Sequence, residues 1–286
     1  VSCSRRKRCR WPGMTEEEVQ QYLSDTASIE GWFFPIDASI FGLIDAAQKS
    51  DSIVGNLFEI GVHHGKSAVM LATMLDGGEL LGVCDVFGRQ DLNDDRSGEG
   101  SRELFEQNMS RLRAEVADAV RIFSKRSDEL TVADTSDACR FIHIDGGHTP
   151  RDVVNDLMIA ERALSEVGVV ALDDVFNASW PGVSEGLYRY ISAQPESLVP
   201  LIIGGNKVYF ARPAGVGRYE ALLQDLLAGK RFTAEAFRFE HKEWLGRSVV
   251  TATRREWVDL APLAAARLHL RRRSLKRRVV EFLLNR

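Results

Sequence analysis

Residues 57–67 constrain the fold more than any other part of the chain. A short apolar run carrying Glu59 is followed by a loop with glycines at Gly61 and Gly65, and an apolar helix is predicted from Ser67 onward. A strand, a glycine turn and a helix N-terminus in this order allow bare backbone to approach a ligand closely. The segment therefore predicts an α/β protein with a ligand at the tip of its first strand.

The next predicted strand ends in an acid, Asp85, about twenty residues after Gly65, the spacing typical of nucleotide folds. Nucleotide-binding folds use an acid at this position to hold ribose hydroxyls. However, the glycine spacing differs from the dinucleotide pattern G-x-G-x-x-G, and His63 and His64 occupy the middle of the loop. These features argue against NAD and are compatible with a smaller nucleoside ligand.

Predicted strands and helices alternate along the following part of the chain. Strands are expected at 56–60, 80–86, 119–124, 140–145, 167–172, 198–203 and 207–212. Alternation of this kind is typical of a mostly parallel sheet with helices on both faces. The last two strands flank a glycine turn at 204–206, which predicts an antiparallel hairpin at the sheet edge.

Four segments are expected in the domain organisation. They are a basic tail at 1–13, a helical cap at 14–55, an α/β core at 56–213 and a helical extension at 214–286 that ends in a basic helix. A short strand is expected within this extension at 248–253. Thr15 and Glu18 form a capping box at the start of the first predicted helix. Met14 is an alternative start, which leaves open whether the basic tail is native.

Acidic charge is concentrated in the middle of the chain. The net charge is −4, but residues 1–13 and 262–286 together carry +12, which leaves −16 for the rest. A body this acidic is poorly matched to a nucleic-acid backbone, so no nucleic-acid partner is expected. The basic C-terminal helix is expected to dock on the acidic body, on a second copy of the chain or on an anionic membrane surface.

A cytoplasmic location is expected from the apolar segments and the cysteines. No run approaches the roughly 18 apolar residues of a membrane span, and no apolar stretch follows the basic N-terminus. Cys3, Cys9, Cys84 and Cys139 form no C-x-x-C pair and are interpreted as reduced thiols.

Three aspartates follow two predicted neighbouring strands. Asp145 follows the strand at 140–145, and Asp173 with Asp174 follows the strand at 167–172. Parallel strands joined by one crossover are usually neighbours, so these carboxylates should share one rim of the sheet. Close carboxylates repel one another, and Mg²⁺, Mn²⁺ or Ca²⁺ would relieve that repulsion. The alternative is that the aspartates cap turns and face water.

His148 is the candidate general base in the same loop. It precedes a helix predicted to begin at Pro150, whose dipole disfavours the imidazolium and favours a neutral base near pH 7. A neutral imidazole beside a metal site can accept a proton from the substrate. The alternative is a loop histidine that only hydrogen-bonds the glycine turn.

Taken together, these motifs resemble a known family. The pattern Glu59-x-Gly61-x-x-x-Gly65-x-Ser67, the acid Asp85, and the motifs at 144–148 and 172–174 are similar to class I S-adenosylmethionine-dependent methyltransferases. Within that class the chain resembles the metal-dependent, macrocin-type O-methyltransferases over residues 30–213. The resemblance implies a Rossmann-like sheet of seven strands, mostly parallel, with a terminal antiparallel hairpin and helices on both faces.

The resemblance also implies roles for individual residues. Glu59 and Gly61 would line the methionine part of S-adenosylmethionine, with Gly65 and Ser67 in the same loop, and Asp85 would hold the ribose. Ser127 or Asp128 would lie beside the adenine, and Asp145, Asp173 and Asp174 would hold Mg²⁺. The macrocin-type enzymes usually carry an acid where this chain has Gly147, which favours His148 as the base.

The sequence thus predicts an Mg²⁺-dependent O-methyltransferase that acts on a hydroxyl of a small molecule, of the sugar or secondary-metabolite type. Trp180 and the aromatic turn at 32–34 would form the wall of the acceptor pocket, unless they are ordinary core residues. Two alternatives remain, namely a metal-using hydroxylase on the same scaffold and an inactive methyltransferase fold that only binds.

Overall fold

The computed structural model describes residues 14–135, 138–230 and 237–254. Within them, nine strands form one sheet in the order β3-β2-β1-β4-β5-β7-β6-β9-β8. The strands are β1 Asn56–Ile60, β2 Leu81–Cys84, β3 Val120–Phe123, β4 Cys139–Ile144, β5 Leu164–Leu172, β6 Val199–Gly204, β7 Lys207–Ala211, β8 Phe237–Trp244 and β9 Arg247–Arg254.

Eight α-helices accompany the sheet in the described residues. They are α1 Glu16–Asp25, α2 Pro35–Ser50, α3 Lys66–Met74, α4 Arg102–Arg113, α5 Val132–Thr135, α6 Pro150–Ala163, α7 Pro181–Ala193 and α8 Glu220–Leu227. The predicted capping box of Thr15 and Glu18 begins α1, and Thr149 caps α6 by accepting from the Asp152 amide. None of the described helices is long and apolar enough to cross a lipid bilayer.

Two apolar cores cover the two faces of the sheet. Successive strand residues face opposite sides, so Leu57 packs with α2 and α3 while Phe58 packs with α6 and α7. Cys84 and Cys139 are buried, and their Sγ atoms lie 3.3 Å from the carbonyl oxygens of Lys125 and Thr135 respectively. The predicted Rossmann-like architecture, with parallel strands β3-β2-β1-β4-β5 and an antiparallel hairpin at β6 and β7, is confirmed.

The predicted count of seven strands is wrong, because the sheet continues for two more. Strand β9 pairs in parallel with β6, and β8 pairs antiparallel with β9. The interpretation of 214–286 as helical is therefore wrong over 237–247, whereas the short strand expected at 248–253 lies within β9. The sequence of β8 is FRFEHKEW, and its charged residues are typical of an edge strand. Because it contains no apolar run, apolar runs do not predict it as a strand. The basic helix predicted from residue 262 lies outside the described residues, as does the basic tail at 1–13.

The order of the strands reverses beside β1, which lies between β2 and β4. In open α/β sheets, ligands bind outside the carboxyl ends of the strands at such a reversal. The loops after β1, β2, β4 and β5 all open onto this end, and the candidate site lies there.

Candidate active site

The sheet register places the predicted site residues in one row. Ile60 pairs with Ile144, which in turn pairs with Leu172, so the next residue of each strand begins the loop at the same level. The Asp145 amide donates to the Ile60 carbonyl at 2.8 Å, and the Asp173 amide donates to the Ile144 carbonyl at 2.9 Å. The tips of β1, β4 and β5 therefore stay hydrogen-bonded to one another up to the site.

A cavity of about 500 Å³ lies above these tips. This volume is within the usual range for a small-molecule site. Its wall combines the loop after β1, the acid Asp85, Ser127 and the three aspartates of the predicted metal site. One cavity thus joins four of the predicted cofactor residues, namely Gly61, Ser67, Asp85 and Ser127, to the predicted metal ligands.

Asp85 organises the glycine loop. Its Oδ2 accepts from the backbone amides of Val62 and His63 at 2.7 and 2.8 Å, and its Oδ1 accepts from the Phe87 amide at 2.5 Å. Gly61 has a φ of +82°, and a Cβ there would lie 1.9 Å from the Asp145 carbonyl oxygen. A residue without a side chain is required at this position, which also leaves the backbone bare toward the cavity.

Glu59 does not reach the cavity wall, contrary to its predicted place beside the cofactor. Strand alternation turns it into the core, where it is fully buried and lies 2.7 Å from Nδ1 of His143. Burial raises the pKa of Glu59 well above its usual range and lowers that of His143 well below, which disfavours the charged form of each. Ser67, which does line the cavity, hydrogen-bonds Glu59 and holds it behind the loop.

Gly65 is also behind the cavity wall. It begins α3 with a φ of +88°, and a Cβ there would lie 2.8 Å from the Phe105 ring. Its role is therefore close packing of the loop on α4. Between the two predicted adenine neighbours, Ser127 lines the cavity, whereas Asp128 lies outside it and pairs with Arg126 at 3.1 Å.

The buried ammonium of Lys207 is paired with Asp173. Nζ of Lys207 hydrogen-bonds Oδ2 of Asp173, and Oδ1 of Asp173 accepts from the Asp174 amide at 2.7 Å. Burial alone would lower the pKa of Lys207, but Asp173, Asp37 and Asp145 outweigh it and raise that pKa above its usual value. Lys207 is thus a permanent positive charge and not a proton acceptor.

Asp174 points away from Asp173. Its backbone has a φ of +58°, its Oδ2 lies 3.0 Å from Nε2 of His148, and its Oδ1 accepts from the side-chain amides of Asn177 and Asn206. Asn177, a further candidate ligand, is therefore a hydrogen-bond donor to Asp174.

The potential metal ligands consequently form two overlapping groups. In the described residues, donor atoms within 4.8 Å of one another occur in His143, Asp145 and Asp173, and again in Asp145, His148 and Asp174. Burial and the charge of Asp173 raise the pKa of Asp145 well above its usual range. The three aspartates meet at one rim as predicted, but Asp145 alone belongs to both groups.

His148 is held between two carboxylates. Nδ1 lies 2.8 Å from Oδ2 of Asp95, and Nε2 faces Asp174. Burial alone would lower the pKa of His148, but the hydrogen bonds to Asp174 and Asp95 outweigh it and raise the pKa to about 9. The expectation of a neutral imidazole near pH 7 is wrong, because the two carboxylates outweigh the helix dipole.

The sequence of this region matches a known family. The model of a family described as "Methyltransferase domain" matches residues 58–175, which include the glycine loop and all three aspartates. This segment is a methyltransferase domain. The prediction of an enzyme of the class I S-adenosylmethionine-dependent methyltransferases is confirmed by this match together with the fold.

Solved structures resemble the methyltransferase domain and its surroundings. The O-methyltransferase NovP superposes with a TM-score of 0.51 at 16% identity, covering 62% of this chain and 80% of NovP. The calicheamicin methyltransferase CalS11 gives 0.47 at 15%, covering 74% and 98%, and a Bacillus cereus O-methyltransferase in complex with SAH gives 0.46 at 18%, covering 68% and 90%. No curated protein matches the chain in sequence.

Aromatic side chains line part of the cavity of the methyltransferase domain. Trp180 stacks on His148 with ring centroids 4.2 Å apart and planes inclined by 11°. Trp32 and Phe34 line the cavity and are 65% and 48% exposed, as expected for pocket walls. Phe33 is only 6% exposed and lies under the Lys207 ammonium, so most of its surface belongs to the core.

Two site residues of the methyltransferase domain were absent from the sequence prediction. Asp95 lies in a polar loop whose conformation could not be derived. Lys207 carries a visible signal, since it is a lysine at the start of an otherwise apolar strand, KVYFA. A charge in such a position is almost never fully buried without a partner.

Proposed function

We propose that this chain transfers a methyl group from S-adenosylmethionine to a hydroxyl oxygen of a small molecule. The observation that carries the proposal is the single cavity that joins the glycine loop and Asp85 to the carboxylates of Asp145, Asp173 and Asp174. Such a cavity can hold a cofactor and an acceptor hydroxyl side by side. Alignment of two reactants supplies much of the rate in a displacement of this kind.

The residues present fit the cofactor. The bare backbone at Gly61 admits close approach, Asp85 presents a carboxylate to the cavity, and Ser127 lies on the wall after β3. In this proposal Asp85 holds the ribose hydroxyls and Ser127 lies at the adenine. When bound, the cofactor supplies an electrophilic methyl group to the acceptor.

The residues also fit a divalent cation, which we include in the proposal as Mg²⁺. The aspartates around the predicted metal site outnumber the positively charged side chains beside them. Lys207 and His148 face five of them, namely Asp37, Asp95, Asp145, Asp173 and Asp174. Hard carboxylate oxygens suit Mg²⁺. Asp145, Asp173 and Asp174 are the proposed ligands, and a bound cation would lower the pKa of an acceptor hydroxyl.

His148 is the proposed proton acceptor, with Asp145 beside it. Because Asp95 and Asp174 keep the imidazole charged near neutral pH, it accepts a proton only after it has lost its own. The stacked ring of Trp180 and the hydrogen bond to Asp95 hold it in one orientation at the cavity wall. Trp32 and Phe34 would cover the acceptor and exclude water.

The acceptor class is proposed from the site itself. A ring-bearing hydroxylated molecule, such as a sugar or a secondary metabolite, suits a wall of exposed aromatic side chains above a cluster of carboxylates. In keeping with its acidic body, we propose no nucleic-acid partner for the chain. Association through the basic C-terminal segment, with a membrane surface or a second copy, remains a proposal outside the described residues.

The test is calorimetric titration with S-adenosylmethionine, with Mg²⁺ and with EDTA, followed by mass spectrometry of a panel of sugar and phenolic acceptors. We expect micromolar binding that Asp85→Asn weakens at least about tenfold, the effect of losing about 1.4 kcal/mol. The matched control is Asp91→Asn, whose carboxylate is exposed and pairs with Arg89. Absence of binding to the wild type would contradict the proposal, and oxidised rather than methylated products would favour the hydroxylase alternative.

A further inference from the structure

Residues 88–100, here called the 88–100 loop, connect β2 to α4 and form one wall of the cavity. The two ends of the loop meet, since a Cβ on Gly88 would lie 3.9 Å from the Gly100 carbonyl oxygen. A surface loop of this length with adjacent ends is an Ω-loop. The residues of the loop that line the cavity are Leu92, Asn93, Asp94, Ser97, Gly98 and Gly100.

The 88–100 loop is held together by its own hydrogen bonds. The side-chain amide of Gln90 donates to the Gly98 carbonyl at 2.9 Å, and that of Asn93 donates to the Ser97 carbonyl at 2.6 Å. Both bonds join residues of the loop to each other and leave the rest of the protein uninvolved. The loop can therefore move as one unit about its two ends.

Few apolar contacts attach the 88–100 loop to the body of the protein. None of residues 88–99 is buried, and Leu92, the only apolar side chain among them, packs in neither core. By contrast, Phe33 of the aromatic turn belongs to a core, and the loops after β4 and β5 begin at hydrogen-bonded strand tips. Segments with few buried apolar contacts open at a lower free energy than the rest of a fold. Compared with those walls, this loop therefore opens at the smaller cost.

Arg126 fastens the loop on one side. Its Nη1 donates to the Leu92 carbonyl at 2.9 Å and to Oδ2 of Asp94 at 3.2 Å. Its Nε and Nη2 donate to Asp128 at 3.1 and 3.3 Å, and Nη2 also lies 3.5 Å from Oδ1 of Asp152 on α6. One planar guanidinium thus joins the loop to two segments of the body.

Asp95 fastens the loop on the other side. Its Oδ2 accepts from the backbone amide of His148 at 2.7 Å and lies 2.8 Å from Nδ1 of the same residue. Because Arg126 follows β3 and His148 follows β4, the two fastenings lie at separate strand ends. Both of them must break before the loop can move away from the cavity.

We infer that the 88–100 loop is a lid over the cofactor cavity, which must open before S-adenosylmethionine enters and before S-adenosylhomocysteine leaves. Arg126 and Asp95 are its two latches. The inference rests on the cofactor site of the proposed function and adds the route into it. A small-molecule site of this volume buries most of the surface of its ligand, so part of the wall must move for exchange.

Loss of a latch has a specific kinetic consequence. If the cofactor binds and leaves only while the lid is open, a larger open fraction raises the association and dissociation rate constants together, and their ratio, Kd, changes little. Loss of a direct contact with the cofactor instead acts mostly on the dissociation rate constant. The two rate constants, measured separately, therefore distinguish a latch from a residue that binds the cofactor.

The first experiment measures both rate constants by stopped-flow fluorescence of the full-length protein with S-adenosylmethionine, since tryptophan side chains line the cavity. In Arg126→Met and in Asp95→Ala, both constants should rise at least about threefold while Kd stays within about twofold, because one hydrogen bond changes an equilibrium roughly two- to tenfold. Arg89→Met is the matched control, since Arg89 belongs to the loop but pairs with Asp91 inside it. A rise of the dissociation rate constant alone in either latch variant, or unchanged rate constants, would overturn the inference.

The second experiment needs no cofactor. Cys84 lines the cavity and is 1% exposed, so its alkylation by N-ethylmaleimide reports entry of a reagent into the cavity. Mass spectrometry of the peptide that contains Cys84 should show alkylation at least about threefold faster in both latch variants and unchanged in Arg89→Met. Circular dichroism establishes that each variant is folded. Faster alkylation in Arg126→Met but not in Asp95→Ala would indicate a gap left by the shorter side chain and would overturn the inference.

The two experiments separate this inference from the proposed function. A wild-type protein that binds no S-adenosylmethionine contradicts the proposed function, and alkylation of Cys84 then still decides whether the loop is a lid of the cavity. A wild type that binds the cofactor, with latch variants that exchange it at the wild-type rates, overturns the lid alone. Parallel rises of both rate constants, with faster alkylation in both latch variants, support the inference.

Discussion

Asp95 accepts two hydrogen bonds from His148, one from its backbone amide at 2.7 Å and one from its ring Nδ1 at 2.8 Å, across 53 residues of sequence. The carboxylate thereby fastens the loop between β2 and α4 to the loop between β4 and α6. Both loops line the same cavity. The orientation of His148, the proposed base, thus depends on a residue of another loop.

Replacement of this carboxylate should shift the pH dependence of methyl transfer. If His148 is the base, the rate should rise with pH up to about 9, because the imidazole must first lose its proton. Asp95→Asn removes one of the two charges that raise this pKa, so the rising limb should move to lower pH. The measurement is kcat against pH, with Asp94→Asn, whose carboxylate pairs with Arg126, as the control. If the rising limb of the Asp95→Asn profile stays at the same pH, this limb does not report the ionisation of His148, and His148 is excluded as the base.

A methyl group at Gly61 should disrupt the cofactor loop. The Cβ of Gly61→Ala would lie 1.9 Å from the Asp145 carbonyl oxygen, and the backbone already has a φ of +82°. Left-handed backbone alone costs an L-residue about 1–2 kcal/mol. We expect at least that loss of unfolding free energy in urea and loss of S-adenosylmethionine binding in calorimetry. Gly77→Ala, which has open space around the added carbon, should leave both unchanged.

The buried side chain of Arg140 should contribute strongly to stability. It donates to Glu79 at 2.8 and 2.9 Å and to Gln48 at 2.8 Å, and it pairs with Asp45 at 3.0 Å. Arg140→Met leaves the buried carboxylate of Glu79 without its counterion, while Asp45 keeps only Lys49 at 3.0 Å. Removal of one partner from a buried ion pair typically costs about 3–5 kcal/mol. Urea denaturation should show this loss. The exposed pair of Arg102 and Glu106 gives the comparison, since Arg102→Met should cost at most about 1 kcal/mol.

The buried carboxyl of Asp156 should make stability depend on pH. Burial raises its pKa from 3.8 to about 7, against hydrogen bonds from Ser127 and Asn155 that lower it. A raised folded-state pKa favours the fold at low pH, and this contribution is lost as pH rises from about 4 through about 7.

Asp156→Asn removes that ionisation and tests the assignment. Relative to the wild type it should gain stability between pH 5 and pH 8 by about 3 kcal/mol, because about two pH units of this interval lie below the folded-state pKa and each contributes about 1.4 kcal/mol. Urea midpoints at the two pH values measure the gain. Glu17→Gln, on the exposed side of α1, should show no such gain. If the urea midpoints of the wild type and Asp156→Asn changed equally with pH, the assignment of the raised pKa to Asp156 would be contradicted.

The residues at the strand tips could be predicted from sequence because their patterns are local. Gly61, Asp85, Asp145 and Asp173 each follow directly on an apolar run, and parallel strands end at one rim whatever the details of the loops. The side-chain partners could not be predicted. Lys207 meets Asp173 across 34 residues, and Asp95 meets His148 only through the conformation of a polar loop.

Two errors have the same physical origin. The helix dipole at Pro150 predicted a neutral His148, but two carboxylates from other loops outweigh it. Glu59 was placed on the cofactor by resemblance, but strand alternation turns it toward His143 in the core. In both cases a contact with a residue distant in sequence outweighs the local pattern.

Gly61 lies directly over the carbonyl of Asp145, so the loop that would hold the cofactor and the residue proposed to hold the cation share one backbone contact. If binding of one ligand shifts this contact, the two ligands become effectors of each other. Thermodynamic reciprocity then requires that the factor by which Mg²⁺ changes the affinity for S-adenosylmethionine equals the factor by which S-adenosylmethionine changes the affinity for Mg²⁺. Occupancy of the cation site would therefore depend on the concentration of the methyl donor, and occupancy of the donor site on that of the cation.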